Sequence, residues 1–457
     1  DRSAYKITLN ADGIYELTYA ALQSAGMPVN AVNPHAFTLM HRGEPVAYTL
    51  TGDDNTIFEP GEAVQFYGWA FDGSRYEKQF VSDNVFWLWA DGSHPLQMET
   101  ATNTIASGDV QATTTETITI EPENDFFSTW TDQWASFPNE PDAWYWDRIP
   151  RVGIGAPATP LTYTIPLAFP DTGSSETAVF TAEFTSRAKA PIPNQVAYEV
   201  ALAFNNQPPV THSWNGRQNV NISGTLPAAA LRDGDNVVTA VVTTTDVLYL
   251  NRITVTYPRQ LTADHNQLVF TAAGGSQTFR VRGFESVAAD ELVVWQIGER
   301  KRPFILENPL VTNEGGETAV QFSGSRHTGT AYIVTATNNI LHPAIQQIPP
   351  TNLNPPQGRA DWLAIAHPDL LPAAQQLADY RASASALSTH VVSITELIDQ
   401  YGYGLPLPDA IRLYLADADT WDTPPRYIVL FGDATLNPRR LECQWSCNGV
   451  GWDATEP

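Results

Sequence analysis

The chain contains few cysteines, few charged residues and no long hydrophobic run. Its two cysteines, Cys443 and Cys447, lie near the end of 457 residues, so no disulfide forms before position 443. That pattern fits the cytosol, and it fits equally an exported bacterial protein with large cores. No apolar run reaches about 18 residues, so no transmembrane helix is expected. The chain begins Asp1-Arg2-Ser3, without an initiator Met or signal peptide, which indicates a removed leader or a fragment.

Basic residues are scarce: 25 Lys and Arg stand against 50 Asp and Glu, and the net charge is −25. Because an acidic chain repels phosphate, binding to nucleic acid or to an anionic membrane is disfavoured. The same charge keeps an exported protein soluble. We expect no required cofactor. No EF-hand spacing occurs, although acidic loops leave room for a structural calcium ion.

The common signatures of enzymes are absent. The sequence has no G-x-S-x-G elbow, no H-E-x-x-H, no P-loop and no dinucleotide-binding G-x-G-x-x-G. None of the nine histidines stands in metal-ligand spacing with a carboxylate or thiol. Cys443 and Cys447 lack a second ligand pair, and no histidine is near them in sequence. We therefore favour a local disulfide or two free thiols for these cysteines over a zinc site or a catalytic nucleophile.

Short alternating strands and many turns are abundant, with 34 Pro and 29 Gly. The turn Asp12-Gly13 between two alternating runs predicts a β-hairpin. The predicted modules are a β-rich module at 1–120, an aromatic linker or hairpin at 121–157, a jelly-roll-like β-sandwich at 158–258, a second sandwich at 259–350 and a Pro-rich linker at 351–360.

The aromatic stretch contains four tryptophans, for which two interpretations compete. They stack on glycans or a partner, or they pack over the neighbouring sandwich, and packing is favoured because buried rings contribute much of such packing. The four are Trp130, Trp134, Trp144 and Trp146.

From residue 361 the pattern changes to strand, helix, strand, helix, strand, which predicts a parallel sheet with crossover helices. The apolar runs near positions 363, 391 and 429 are the three strands. Ligands bind at the carboxyl ends of parallel strands. His367 and Asp433 follow the first and third strands, so both are candidates for a cleft, with plain turn residues as the competing interpretation.

This segment resembles the gingipain family of cysteine peptidases, family C25 of the caspase-like clan CD. The stretches that carry the resemblance are ADWLAIAHPDLLPAAQQLADYR, HVVSITELIDQYGYGLPLPDAIRLYLADA and PPRYIVLFGDATLNP. Upstream, DGIYELTYAALQSAGMPV, FEPGEAVQFYG and VLYLNRITVTYPRQLTAD are similar to segments that precede the peptidase domain in the same proteins. The resemblance implies N-terminal β-sandwich modules followed by part of a caspase-like α/β domain with a parallel sheet.

In the family, a His, usually followed by Gly, is the base and a Cys is the nucleophile, and both follow later strands. This chain has no His-Gly pair. Ser446-Cys447-Asn448-Gly449 arrives too early to be the Cys motif, so no catalytic residue is transferred. The chain as written is therefore expected to be inactive, truncated before the catalytic dyad.

The resemblance implies a secreted or cell-surface bacterial peptidase that acts on polypeptide substrates. A sortase-like member that serves type IX secretion is a second possibility within the family. Outside it, the chain could be a non-catalytic surface protein with glycan- or protein-binding sandwiches, or a pseudo-peptidase with a degenerate tail.

Overall fold

The computed structural model of the chain describes most of the sequence, and the ranges that it describes are 3–53, 55–103, 105, 110–126, 144–150, 159–187, 197–244, 246–272, 278–314, 317–324, 330–433, 438–439 and 441. These residues form two compact units, each built from separate stretches of chain. Unit 1 contains Asp1–Glu99, Glu299–Pro303 and Ile340–Arg439; unit 2 contains Thr100–Gly298 and Phe304–Asn339. The consecutive boundaries expected from the sequence stay a prediction.

Unit 1 begins with a small two-sheet sandwich. Its elements are β1 (Ala4–Leu9), β2 (Gly13–Thr18), α1 (Tyr19–Ser24), β3 (Thr38–His41), β4 (Glu44–Pro45), β5 (Tyr48–Thr51), β6 (Ala63–Gly68), α2 (Arg75–Lys78) and β7 (Asn84–Trp89). The hairpin prediction is wrong. β1 pairs with β7, whereas β2 pairs with β6 in the other sheet. The Asp12-Gly13 turn therefore carries the chain between sheets, and Phe66 on β6 packs on Phe86 of β7 across the core.

Unit 2 opens with strands that build the first larger sandwich. They are β8 (Glu99–Thr102), β9 (Val110–Gln111), β10 (Thr113–Ile120), β11 (Asp125–Phe126), β12 (Trp144–Tyr145), β13 (Asp147–Ile149), β14 (Leu161–Leu167), β15 (Thr177–Ser186), β16 (Tyr198–Phe204), β17 (Val210–Trp214), β18 (Asn219–Pro227), β19 (Gly234–Thr244) and β20 (Leu248–Gln260). One sheet has the order β10-β20-β15-β18, and the other β14-β19-β16-β17. Alternate residues of both sheets form one apolar core between them.

The second sandwich of unit 2 follows directly. Its strands are β21 (Gln267–Thr271), β22 (Thr278–Phe284), β23 (Leu292–Gln296), β24 (Phe304–Glu307), β25 (Leu310–Glu314), β26 (Glu317–Ser323) and β27 (Ala331–Ala336). One sheet has the order β21-β27-β23-β24-β8, and the other β25-β26-β22-β9. Rings of Phe270, Phe279, Phe322 and Tyr332 contact one another in its core, which explains why this short-stranded sandwich is well packed.

The C-terminal part of unit 1 contains β28 (Ala344–Ile348), β29 (Trp362–Ala366), α3 (Leu371–Ser385), β30 (Thr389–Ser393), α4 (Ile394–Tyr401), α5 (Asp409–Ala418) and β31 (Tyr427–Phe431). The last three strands are parallel, in the order β30-β29-β31. α3 packs on one face of this sheet and α4 and α5 on the other. The predicted fold class, β-sandwiches followed by a partial α/β domain with a parallel sheet, is confirmed.

β28 belongs to the N-terminal sandwich, not to the second sandwich in which the sequence analysis placed its residues. It pairs antiparallel with β1, with Ala4 opposite Ile348 and Thr8 opposite Ala344. The chain therefore returns to the N-terminal sandwich as an edge strand before the parallel sheet begins. Among the described residues, no helix is both long enough and apolar enough to cross a bilayer.

Candidate functional site

The carboxyl edge of the parallel sheet brings the two predicted cleft residues to neighbouring strand ends. The backbone N–H of His367 donates to the carbonyl of Phe431 over 2.9 Å, so the pairing with β31 extends one residue past the end of β29. A Cβ atom built on Gly432 lies 3.8 Å from the Cβ of His367. Asp433 follows immediately and is exposed. The strand-end rule therefore located this edge correctly, while the roles of His367 and Asp433 stay predictions.

His367 has a local structural task at this edge. Its Nδ1 accepts a hydrogen bond from the backbone N–H of Asp369 at 3.3 Å and caps the short 3-10 turn Pro368–Leu370. Because Nδ1 is the acceptor, a neutral ring carries its proton on Nε2. The ring is 57% exposed. The same Nδ1 lies 3.6 Å from the Asp369 carboxylate. His367 therefore caps this turn, and its role in a cleft stays a prediction.

The aromatic candidates divide between described and undescribed residues. Trp144 is only 3% exposed, and Trp146 packs on Tyr163 with ring centroids 5.0 Å apart. Trp146 therefore contributes to the packing of the first larger sandwich, and Trp144 is buried. Trp130 and Trp134 lie outside the described residues, as do Cys443 and Cys447. The glycan-binding hypothesis now depends on Trp130 and Trp134.

The N-terminal sandwich contacts the parallel-sheet region through an ion pair and through a hydrogen bond that a tryptophan ring donates. The Lys6 ammonium lies 2.7 Å from the Asp399 carboxylate on α4, and that carboxylate is only 8% exposed. The Trp87 indole N–H donates to the Tyr403 carbonyl at 2.9 Å. An apolar cluster that includes Val85 and Leu405 surrounds these contacts. Sequence reasoning missed this contact because its partners are almost 400 positions apart.

The turn Tyr401-Gly402-Tyr403-Gly404 is the part of the parallel-sheet region that contacts the N-terminal sandwich. Gly402 ends α4, as the sequence predicted. Gly404 has a positive φ of 84°, and a Cβ there lies 2.8 Å from Val85 and 3.2 Å from Trp87. The second glycine is needed because the sandwich approaches the backbone. In the sequence, the only signal of this close approach was Gly404 itself, a second glycine after Gly402, which ends the helix.

Strand β31 leaves apolar side chains uncovered. Ile428 and Leu430 lie opposite Leu363 and Ile365 in the register, on the face that α4 and α5 cover over β29. Over β31 that cover is missing, and Leu430 is 60% exposed. Among the described residues β31 has one strand neighbour, β29. This edge is the most incompletely buried part of the sheet.

Replacing both Ile428 and Leu430 by Thr is expected to reduce aggregation of the chain without lowering its melting temperature. Thr is β-branched and favours strands, and both changes remove exposed apolar surface from an open edge. Light scattering during heating and binding of a hydrophobic dye measure the effect. The matched control is Ile365→Thr in the buried strand β29, which is expected to cost about 2 kcal/mol of unfolding free energy. Equal destabilisation by both changes would show that β31 is covered in solution.

A group of carboxylates lies in the loop before β6. Ligand oxygens of Asp53, Glu59 and Glu62 lie within 4.8 Å of one another. Glu62 accepts backbone N–H bonds from Asp53 at 3.3 Å and from Glu59 at 2.8 Å. These hydrogen bonds stabilise the loop and supply partners for the buried Glu62 carboxylate. The expectation of a possible structural calcium ion stays a prediction.

Comparison with known families identifies the C-terminal segment. Residues 355–450 match the model of peptidase family C25. The matched region contains the parallel sheet, its helices and the edge with His367. The resemblance to a gingipain-like C25 peptidase is therefore confirmed. No curated protein sequence matches the chain.

Among solved structures, the chain is similar to the crystal structure of dimeric latent PorU from Porphyromonas gingivalis. The two are 18% identical, with a TM-score of 0.67, and the match covers 98% of this chain and 43% of the PorU chain. At this identity the likeness shows the fold, including the β-sandwich modules. A structure of infectious bursal disease virus, Gt strain, matches 84% of this chain and 74% of its own at 8% identity, but its TM-score of 0.19 is too low to support an argument.

Proposed function

We propose that this chain belongs to a secreted, gingipain-type cysteine endopeptidase that cleaves polypeptide substrates. The parallel order β30-β29-β31 inside the C25 match carries the proposal. Its cysteine and histidine are supplied by later strands of the sheet, beyond residue 457. The chain spans less than half of the PorU chain that it matches, 43%, so activity, substrate and location all belong to the proposal.

The surface of β31 supports this arrangement. Ile428 and Leu430 would be covered if a further strand paired with β31 and a crossover helix packed on that face. The residues at the carboxyl ends of those strands would then face the same edge as His367 and Asp433. On this view His367 shapes the cleft, and the chemistry belongs to other residues.

The second candidate is a sortase-like member of the same family that serves type IX secretion and sits at the cell surface. It rests on the same C25 match of residues 355–450 and on the family resemblance, which allow either activity. Hydrolysis and transpeptidation share a thiolate nucleophile and an acyl-enzyme, and they differ in whether water or an amine attacks that intermediate.

The deciding experiment extends the reading frame. The DNA beyond codon 457 is sequenced, and the 457-residue chain and any longer product are tested on fluorescent casein. We expect thiol-dependent hydrolysis by the longer product, abolished by Cys→Ala at its later cysteine, and none by the shorter chain. Transfer of the acyl part of the substrate to an added primary amine, measured by mass spectrometry, would favour the sortase. A genuine stop codon at position 458 would overturn both activities and leave a pseudo-peptidase.

A further inference from the structure

A short loop is attached to the N-terminal sandwich close to a buried histidine. The loop Glu299–Pro303 connects β23 to β24, and its five residues belong to unit 1. The Arg300 guanidinium lies 5.7 Å from the centroid of the Trp69 ring. The same ring packs on His41, with centroids 4.8 Å apart. Trp69 therefore contacts both the loop and His41, so a change at the histidine is felt by the loop.

His41 has no acceptor for a second ring proton. Its ring is buried, and its Nε2 lies 2.9 Å from the Asn84 side-chain oxygen. Because the Asn84 side-chain nitrogen donates to the Trp69 carbonyl at 3.1 Å, the amide oxygen is the atom that faces the ring, and Nε2 is the donor. The other nitrogen, Nδ1, is then unprotonated, and it has no hydrogen-bond partner among the residues that the structure describes. A proton added there is a buried charge without an acceptor.

The charges near His41 disfavour its protonation further while the loop is in place. Burial lowers the pKa of His41 from 6.5 to about 4, and the charges of Lys301 and Arg42 act in the same direction. The Asn84 hydrogen bond and the Asp72 carboxylate oppose them. Departure of the loop would remove the Lys301 ammonium from the ring and admit water to Nδ1. The charged groups at this place form three ion pairs, which are Lys301 with Glu44, Arg300 with Asp72 and Arg42 with Glu77.

The polar contacts of the loop cost little to break. The Lys301 carbonyl accepts the backbone N–H of Ala47 at 2.8 Å. The two carboxylates that pair with the loop, those of Glu44 and Asp72, are 68% and 61% exposed, and exposed ion pairs contribute little stability. The hydrogen bond from Lys301 lowers the pKa of Glu44, so this carboxylate stays charged at a pH where His41 of the released state is already protonated. Release of the loop should therefore precede unfolding of the sandwich.

We propose that the loop Glu299–Pro303 is an acid-released latch on the N-terminal sandwich and that His41 is its sensor. Above pH 6.5 the ring is neutral in both states, and the latch stays closed. As the pH falls, the released state binds a proton that the closed state resists, so release becomes more favourable. With a ring pKa of 6.5 when released and about 4 when closed, the equilibrium for release should rise roughly fiftyfold between pH 7 and pH 4.5. The proposal is independent of peptidase activity.

Hydrogen–deuterium exchange of the full 457-residue chain tests the latch, read by mass spectrometry at single-residue resolution and corrected for the intrinsic effect of pH. The reporter is the N–H of Ala47, whose acceptor lies in the loop, and the matched reference is the neighbouring N–H of Val46, whose acceptor is Leu39 inside the sandwich. We expect Ala47 to lose protection roughly fiftyfold from pH 7 to pH 4.5 while Val46 stays protected. Unchanged protection of Ala47, or equal loss at both amides, would overturn the proposal.

Two variants assign the release to the histidine. His41→Phe keeps an aromatic ring against Trp69 but cannot titrate, so Ala47 should exchange equally at pH 7 and pH 4.5. Glu44→Gln weakens the attachment of the loop but retains the sensor, so exchange at Ala47 should be faster at pH 7 and should still rise at pH 4.5. A rise that persists in His41→Phe would show that another group is the sensor. Should that variant fail to fold, the comparison of the two amides in the natural chain still decides.

Discussion

Lys6→Met is expected to lower the unfolding free energy of unit 1 by about 3 kcal/mol. The Lys6 ammonium is the ion-pair partner of the Asp399 carboxylate, 2.7 Å away, and that carboxylate is largely shielded from water. Methionine fills the space of the lysine stem but leaves a buried charge without its partner. Removing one partner of a buried pair costs more than removing both, because the remaining charge has lost its hydration. Urea unfolding of the full chain measures the loss.

The double variant Lys6→Met with Asp399→Leu should recover most of that stability, because no uncompensated charge remains. Arg412→Met is the matched control. It removes a 2.8 Å ion pair with Asp409 on α5 whose two side chains are both well exposed, so only a small change is expected. Equal effects of Lys6→Met and Arg412→Met would contradict the burial argument.

Unit 1 is also expected to lose about 3 kcal/mol of stability as the pH falls from 6.5 to 4, through His41. The ring is buried between Trp69 and Phe86, with centroids 4.8 Å away in each case. Its Nε2 lies 2.9 Å from the Asn84 side-chain oxygen. Burial lowers the pKa of His41 from 6.5 to about 4, although the Asn84 hydrogen bond acts in the opposite direction.

The sign follows from which state binds the proton. Below pH 6.5 the unfolded chain protonates His41, whereas the folded chain resists protonation until about pH 4. The contribution is therefore fully present above pH 6.5, declines through the window and is lost below about pH 4. Urea midpoints across this range, compared between the natural chain and His41→Gln, isolate it from other titrating groups. A pH profile that is the same for His41→Gln would contradict the prediction.

The parallel sheet was predictable because its signals are local. The run Trp362 to Ala366 is apolar on both faces, as a strand between helices must be, and the structure buries all five residues. Crossover geometry then sets the strand direction, since a helix between two strands returns the chain to the same end. His367 could be placed at the carboxyl edge for the same reason.

Other features depended on partners that are distant in sequence. The Asp12-Gly13 turn has the composition of a hairpin, yet the strands on either side belong to different sheets. Local turn chemistry specifies a reversal, and the packing of Phe66 on Phe86 decides which strand each arm joins. The sequence also did not predict that His367 caps the 3-10 turn, because that hydrogen bond depends on the orientation of the ring.

The sequence by itself determined that β-sandwiches are followed by a parallel α/β sheet, since hydrophobic periodicity and the succession of strands and helices are properties of neighbouring residues. The likeness to family C25 came from the resemblance of particular stretches. Tertiary structure alone decided that β28 returns to β1, that Lys6 meets Asp399, and that Trp69 contacts both His41 and Arg300. Each of these depends on burial and charge shared by residues far apart in the chain. No local propensity records such an interaction, because its free energy exists only once both partners are in place.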